Sequence, residues 1–225
     1  EGPRLGGDGH ICFIQVAVDG DGKAPALIYV FDIIRCGCHA LGQSGTPTLR
    51  SILEDSSVPK VLHSCYGDVA ALYRQFGIFT RHVFDTSVAD SLCLCRPPNK
   101  SRGLKPVVSQ WVGLSAQFTY KGSFVHTDSF WEVRPLLYYK FVYAYEDVIH
   151  CGQLYLRLRA MLVKMGLLDL ALTLSQQRAP PVALRDDHPR YRPPTTVAVA
   201  LVDAERVVCL QDPTTGRYFL PSLAL

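Results

Sequence analysis

The residues most capable of chemistry in this sequence are acidic side chains at the borders of predicted elements, together with one tyrosine. Glu1 precedes a glycine-rich segment, and Asp68 follows the apolar run at residues 60–63, where a strand gives way to a helix. Tyr143 and Asp147 are four positions apart in a helical stretch, so their side chains share one face. Carboxylates gathered from different elements hold hard divalent cations such as Mg²⁺. Chemistry supported by oxygen-ligated metal ions is therefore the kind to consider.

The elements that would position these residues alternate between strands and helices. Two β-branched and aromatic runs, residues 11–18 and 26–33, flank a Gly/Asp-rich segment and predict a β-hairpin. The order of elements predicts an α/β domain with a mixed sheet covered by helices. Apolar spacing and length assign the remaining elements as helices at 48–55, 68–76, 104–114, 135–161 and 167–176, and a short strand at 60–63, while residues 83–86 start another short element.

Two further parts are predicted after a main domain of residues 1–177. Residues 178–194 are rich in Pro, Arg and Asp, which is typical of a linker. Strand-like runs separated by turns follow over residues 195–225 and predict a small β-meander as a C-terminal extension. So short a sheet needs a partner surface to be stable, and a protein partner is therefore expected for it.

Composition indicates an ordinary globular domain. Of the 225 residues, 48% are hydrophobic and 19% are charged, and a chain of this length can bury a sizeable core. The net charge of +3 is too small to argue for nucleic acid on its own. The longest apolar stretch, residues 26–34, is interrupted by Asp32 and is too short to span a bilayer, so no membrane partner is expected.

The eight cysteines favour an intracellular protein with reduced thiols. Two Cys-x-Cys pairs, Cys36/Cys38 and Cys93/Cys95, lack the two-residue gap of a zinc clip. Nothing in the sequence indicates secretion, and nuclear and cytoplasmic locations both stay open. The chain begins with Glu1 rather than Met, which predicts a fragment cut inside a longer protein, with its first strand truncated.

Taken together, four motifs resemble the DEDDy branch of the 3'-5' exonucleases, the group that contains ribonuclease D and the Egalitarian-like proteins with an exonuclease domain. The resemblance covers about residues 1–163 and implies a ribonuclease H-like fold, a mixed sheet flanked by helices. Family members open with Asp-x-Glu on the first strand, and Glu1 matches the Glu of that motif. The four motifs are Glu1-Gly2, His63 to Asp68, Phe84-Asp85-Thr86, and Arg134-Pro135-Leu136 followed by Tyr143-x-x-x-Asp147.

The resemblance implies a two-metal mechanism. Glu1, Asp68 and Asp147 would ligate two Mg²⁺ or Mn²⁺ ions, and Tyr143 would orient the attacking water. The implied activity is hydrolysis of a nucleic acid at a single-stranded 3' end, with RNA favoured over DNA. The alternative is a catalytically inactive, exonuclease-like module that binds RNA or a protein. An Asp two places before Glu1 would favour catalysis. Asp85 is expected to support the site rather than to hold metal.

Local chemistry offers a plainer role for several of these residues. Asp is a favoured N-cap, so Asp68 could simply cap a helix over residues 69–76. Tyr143 lies in an aromatic-rich stretch and could be a core ring, although the Arg-Pro-Leu motif upstream favours the functional interpretation. Glu146 is expected to be a solvated charge, and His63 a packed or hydrogen-bonded histidine.

Three aromatic residues are candidates for stacking on a terminal base, because single-strand readers use exposed rings in this way. The three are Phe13, Tyr66 and Trp131. Core packing is the stronger expectation for Phe13.

Overall fold

A computed structural model of the chain describes residues 2, 5, 9–19, 27–37, 41, 48–98, 100–113, 118–120, 129–179, 198–202, 210–211 and 218–219. Glu1 and nearly all of the predicted linker lie outside these residues. The predicted domain boundaries near residues 177 and 194 therefore stay predictions.

The first two strands form the predicted hairpin. β1 (Phe13–Asp19) and β2 (Leu27–Asp32) pair antiparallel, with Phe13 opposite Asp32. Two shorter strands, β3 (Lys60–Leu62) and β4 (Val83–Asp85), pair in parallel, and the helix between them provides the crossover connection that parallel pairing requires. The first of these strands was predicted, and the second forms where a further short element was expected. β3 leads through a turn to the helix that bears Asp68, and β4 ends at Asp85.

The C-terminal strands are arranged differently from the predicted meander. β5 (Ala198–Val202) lies between β1 and β3, parallel to β1 and antiparallel to β3, so the main sheet has the order β2-β1-β5-β3-β4. β6 (Leu210–Gln211) and β7 (Tyr218–Phe219) pair with each other in a separate two-stranded sheet. A central position gives both edges of β5 a hydrogen-bonding partner, whereas the first strand of an isolated meander would keep one edge unpaired.

Eight helices are formed by the described residues. The single helix predicted over 135–161 is two helices that break around residue 149, where β-branched Val148 and Ile149 are weak helix formers. The helices are α1 (Ile33–Cys36), α2 (Leu49–Glu54), α3 (Tyr66–Phe76), α4 (Thr86–Cys93), α5 (Leu104–Trp111), α6 (Tyr138–Val148), α7 (Cys151–Met165) and α8 (Leu168–Arg178). None of them is long and apolar enough to cross a membrane.

Alternate residues of β1 send their side chains into cores on opposite faces of the sheet. Ile14 and Val16 pack in one core with residues of α2 and α3. Phe13 packs with Tyr143 of α6, and Ala17 belongs to a core formed with α5 and α7. The period of two along the strand explains this division. It follows that the helix bearing Asp68 covers one face of the sheet, and the helix bearing Tyr143 covers the other.

Candidate functional site

Asp68 lies in the first turn of α3, directly after the turn that follows β3. The helix begins at Tyr66 and Cys65 is the N-cap residue, so the interpretation of Asp68 as an N-cap is wrong. The side chain is 1% exposed. A carboxylate in the first turn is stabilised by the positive end of the helix dipole, and this position suits Asp68 even without a ligand.

The turn between β3 and α3 depends on the Asp85 carboxylate. Ser64 has a φ of 58°, a left-handed conformation that costs a non-glycine residue free energy unless its surroundings impose it. Its backbone N–H donates to Asp85 Oδ1 at 2.9 Å, and the N–H of Cys65 donates to Oδ2 at 3.2 Å. Asp85 thus holds the turn that leads into Asp68, in keeping with the supporting role expected for it.

Asp85 is fully buried and remains ionised because its surroundings favour the charged form. It also caps α4, accepting from the N–H and the hydroxyl of Ser87 at 2.9 and 2.7 Å. Burial alone would raise the pKa of Asp85, but electrostatic interaction with His63, the Ser87 hydrogen bond and the Arg178 charge outweigh it. The pKa of Asp85 is therefore lowered from its ordinary value.

His63 bridges two other segments near the same turn. Its Nδ1 lies 2.9 Å from the Thr86 hydroxyl, and its Nε2 lies 2.9 Å from the backbone oxygen of Arg102. Because a carbonyl oxygen only accepts, Nε2 must be the protonated nitrogen that donates to it. The expectation of a hydrogen-bonded histidine is confirmed.

The second candidate segment is α6, which buries Tyr143 and Asp147 on one face. Tyr143 is 6% exposed and Asp147 is 0% exposed. The Tyr143 ring meets the Trp131 ring edge-on, with 5.5 Å between centroids and an interplanar angle of 63°. Tyr143 is therefore a core aromatic residue as well as the neighbour of Asp147 one helical turn away.

Glu146 differs from the sequence-based expectation. It is 4% exposed, and its carboxylate accepts hydrogen bonds from the backbone N–H groups of Thr119 and Tyr120, the latter at 3.1 Å. The prediction of a solvated charge was wrong because its partners lie far away in sequence. Glu146 fixes the segment at residues 118–120 against α6.

Arg134, from the Arg-Pro-Leu motif, anchors the approach to α6. Its guanidinium forms a two-point ion pair with Asp32 at the end of β2, at 2.7 and 2.8 Å. Although partial burial raises the pKa of Asp32, the hydrogen bonds and charge of Arg134 outweigh it and lower that pKa. The motif therefore has a structural function that its sequence did not reveal.

The three aromatic candidates for base stacking are buried or only partly exposed. Phe13 is 0% and Trp131 1% exposed, and their rings meet at 90° with 4.9 Å between centroids. Tyr66 is partly exposed at the start of α3. Core packing is therefore confirmed for Phe13 and found for Trp131 as well.

Asp68 and Asp147 are the described members of the predicted ligand set. Glu1, the third member, lies outside the described residues. Within the part of the chain that the structure describes, no group of three or more His, Cys, Asp or Glu side chains is arranged to hold a metal ion. Another buried acid, Asp90, is engaged by Arg102 at 2.5 and 3.0 Å and by the Trp111 indole at 2.8 Å. The three-carboxylate site stays a prediction.

The fold and these motifs together define a class of protein. Residues 8–163 match the family described as 3'-5' exonuclease, and the chain belongs to that family of exonuclease domains. The predicted resemblance is thereby confirmed.

The chain is similar to several proteins over part of their length. Mouse piRNA biogenesis protein EXD1 is 37% identical over 92 residues, a match that covers 41% of this chain and 14% of that protein. Ribonuclease D of Pseudomonas paraeruginosa is 34% identical over 112 residues, which covers 49% of this chain and 27% of that enzyme. The chain thus spans only about a seventh of the length of the first relative and about a quarter of the second.

Several solved structures share the fold. A structure described as the apo form of the nuclease is 26% identical with a TM-score of 0.63, covering 83% of each chain. Brucella melitensis NrnC bound to pGG has a TM-score of 0.61 at 24% identity, covering 81% of this chain and 80% of its own. NrnC with bound Mg²⁺ has a TM-score of 0.58 at 24% identity, covering 81% of each. The predicted α/β, ribonuclease H-like fold is confirmed.

Proposed function

We propose that this chain is a DEDDy-type exonuclease domain that removes nucleotides from the 3' end of single-stranded RNA with the help of two divalent metal ions. The observation that carries the proposal is the pairing of Tyr143 and Asp147 one turn apart on a buried face of α6, in a chain that belongs to the exonuclease family. Asp68, at the start of α3, supplies a further carboxylate.

The donor chemistry of these residues suits Mg²⁺ or Mn²⁺. Asp68 and Asp147 offer carboxylate oxygens, the ligands that hard divalent cations prefer, and Glu1 would complete the set. Bound ions would activate a water molecule and neutralise charge that develops on the phosphodiester. The solved NrnC structure with Mg²⁺ supports this choice of cation for a protein of the same fold.

In this proposal the hydroxyl of Tyr143 orients the attacking water. Its ring is held edge-on by Trp131 and belongs to the same core as Phe13, so few orientations are open to it. A side chain that is locked by packing holds a catalytic group in place without losing further entropy during the reaction. The core-ring and functional interpretations of Tyr143 are therefore compatible.

RNA is the favoured substrate because of the proteins that this chain resembles. The names of ribonuclease D and of piRNA biogenesis protein EXD1 both refer to RNA, and one NrnC structure has pGG bound. We extend this class of substrate to the present chain as part of the proposal.

The second candidate function is an inactive module that binds RNA or a protein. The observation that favours it is the burial of Asp68 and Asp147, at 1% and 0% exposure, because a working site must admit a phosphodiester between its carboxylates. In this alternative the two acids no longer take part in catalysis, and the fold buries them.

A trimming assay separates the two functions. Single-stranded RNA with a 5' label is incubated with the protein in Mg²⁺, in Mn²⁺ and in a chelator, and a 3'-blocked RNA serves as the substrate control. The proposal expects metal-dependent shortening of the free 3' end, abolished by Asp68→Asn but not by Asp169→Asn, an exposed acid in the first turn of α8. Salt-dependent RNA binding without any shortening would establish the module instead.

A further inference from the structure

The last turn of α8 contacts Asp85, the residue that holds the turn before Asp68. Arg178 Nη1 lies 3.4 Å from Asp85 Oδ2 and 3.0 Å from the Ser87 hydroxyl, and Nη2 donates to the backbone oxygen of Pro98. One turn earlier, the Ser175 hydroxyl accepts from the backbone N–H of Asp85 at 3.0 Å. α8 therefore contacts both the main chain and the carboxylate of Asp85.

The same carboxylate oxygen joins α8 to the turn before α3. Asp85 Oδ2 receives the guanidinium of Arg178 and the backbone N–H of Cys65, while Oδ1 receives the N–H of Ser64. The Asp85 side chain is 0% exposed and that of Arg178 is 25% exposed. A buried carboxylate needs paired charge and hydrogen bonds to stay ionised in place, and Arg178 provides both.

The turn that Asp85 holds has little stability of its own. Ser64 adopts the left-handed backbone conformation, with a φ of 58°, which is strained for a residue other than glycine. Cys65 caps α3 without a side-chain hydrogen bond to the helix. The start of α3, and with it Asp68, consequently depends on the Asp85 carboxylate for its position.

We propose that Arg178 is a positioning residue for the candidate site: it fixes the Asp85 carboxylate, which holds the Ser64–Cys65 turn and thereby places Asp68. The effect on the turn stands by itself, whereas its consequence for catalysis rests on the proposed function. Arg178 lies beyond residues 8–163, the part of the chain that matches the exonuclease family, so the positioning comes from a helix outside the matched region.

A merely structural role would have a different signature. If Arg178 only docks α8, its loss would loosen α8 and leave the turn at residues 64–65 unchanged. If it acts through Asp85, the amides of Ser64 and Cys65 lose protection although they lie on another element. Amide hydrogen exchange resolved by residue distinguishes these cases because it reports local opening rather than global unfolding.

The experiment compares Arg178→Gln with Arg159→Gln, a matched change at an exposed position of α7. Exchange at Ser64 and Cys65 should quicken by about tenfold or more in Arg178→Gln and stay at the wild-type rate in Arg159→Gln. Arg178→Lys keeps a positive charge and should recover part of the protection, which also covers the case in which Arg178→Gln folds poorly. Unchanged exchange at residues 64–65 in Arg178→Gln and Arg178→Lys, with faster exchange only in α8, would overturn the proposal.

RNA trimming by the same variants tests the catalytic consequence. The half-saturating Mg²⁺ concentration should rise by about tenfold or more in Arg178→Gln and be restored in part by Arg178→Lys, because a displaced Asp68 binds metal less well. If no form of the protein trims RNA, the proposed function fails, and the exchange data alone decide whether Arg178 positions the turn. If the wild type trims RNA and Arg178→Gln has the same Mg²⁺ dependence, the proposed function stands and the link from Arg178 to Asp68 is refuted.

Discussion

Four buried or partly buried acids of this domain contact specific partners at the residue scale. Asp32 pairs with Arg134, Asp85 with Arg178 and backbone amides, Asp90 with Arg102, and Glu146 with backbone amides. Asp68 and Asp147 are also buried, at 1% and 0% exposure, and they are the carboxylates of the proposed metal site. The proposal makes these two acids the ones to test for chemistry.

Asp147→Asn should abolish RNA trimming while the fold persists. The change is nearly isosteric, so we expect a Tm within a few degrees of the wild type together with a rate at least about 100-fold lower, since outer-shell partners of metals alone cost up to that much. The measurements are the trimming rate in saturating Mg²⁺ and the Tm. A fully active variant would eliminate Asp147 as a metal ligand.

Tyr143→Phe isolates the hydroxyl from the ring. The edge-on contact with Trp131 remains possible, so Tm should stay within a few degrees while the trimming rate falls by about 10²-fold or more. Tyr138→Phe is the matched control, because Tyr138 lies on the same helix with 75% exposure. A normal rate in Tyr143→Phe combined with a lower Tm would assign this residue to the core alone.

The lowered pKa of Asp85 predicts how the stability of the domain changes in acid. Its folded pKa is lowered, so its contribution to the free energy of unfolding is complete above the ordinary aspartate pKa and disappears as the pH falls through the folded pKa. Asp85→Asn should lower the free energy of unfolding by about 3–5 kcal/mol at neutral pH, because it leaves Arg178 without its buried partner.

Denaturant unfolding between pH 7 and about pH 2 checks this prediction. The wild type should lose stability below about pH 4, and Asp85→Asn should lose less over the same interval. Asp32, whose pKa is also lowered, should account for part of the acid sensitivity that remains. Parallel pH profiles for the two proteins would mean that Asp85 is not ionised in the folded state.

The helices are placed at the element scale by narrow apolar stripes. On α7, buried Leu154, Leu158 and Leu162 recur at helical spacing and form the face that packs under the sheet. Gly166 ends the helix with a φ of 68°, and the chain then turns back into α8. The position of α8, and therefore of Arg178 beside Asp85, follows from this packing and this turn.

Leu158→Ala should destabilise the domain far more than the same change two residues away. Leu158 is 0% exposed and Leu156 is 52% exposed on the same helix. We expect a loss of about 2–5 kcal/mol for Leu158→Ala and less than about 0.5 kcal/mol for Leu156→Ala. Urea unfolding of both variants provides the comparison, and equal losses would show that α7 packs by a different face.

At the scale of the whole molecule, a strand near the C-terminus completes a sheet that begins with the N-terminal hairpin. β5 pairs with β1 on one side and with β3 on the other, so it joins the hairpin to β3, which precedes Asp68, and through β3 to β4, which ends at Asp85. Both neighbours would otherwise present open edges. The main sheet is thus a single unit only when residues from both ends of the chain contribute.

Ala200→Pro should therefore disrupt the molecule as a whole. Ala200 lies opposite Ala17 of β1 and Val61 of β3, and proline is not tolerated in the middle of a sheet. We expect a Tm lower by at least about 10 °C and faster amide exchange in β1 and β3. The matched control, Leu210→Pro in the separate two-stranded sheet, should have a much smaller effect. Similar small effects at both sites would show that β5 is not a central strand.

Much of this protein was determined by the sequence alone, because the deciding interactions are local. Strand alternation and a Gly/Asp-rich turn specify the hairpin, and helical spacing specifies α3 and α6. The interval between Tyr143 and Asp147 fixes their shared face as soon as the segment is helical. These features depend on periods of two and 3.6 residues, which can be counted without knowing the fold.

Only the tertiary structure decided which distant residues become partners. Arg134 meets Asp32 across 102 positions and Arg178 meets Asp85 across 93, while β5 enters the main sheet instead of pairing with β6. The local periodicity of the sequence does not indicate which distant residue will complete an ion pair or which strand will pair with a given strand edge. The choice follows from the sum of packing over the whole chain, which also buried Asp68, Asp147 and Glu146.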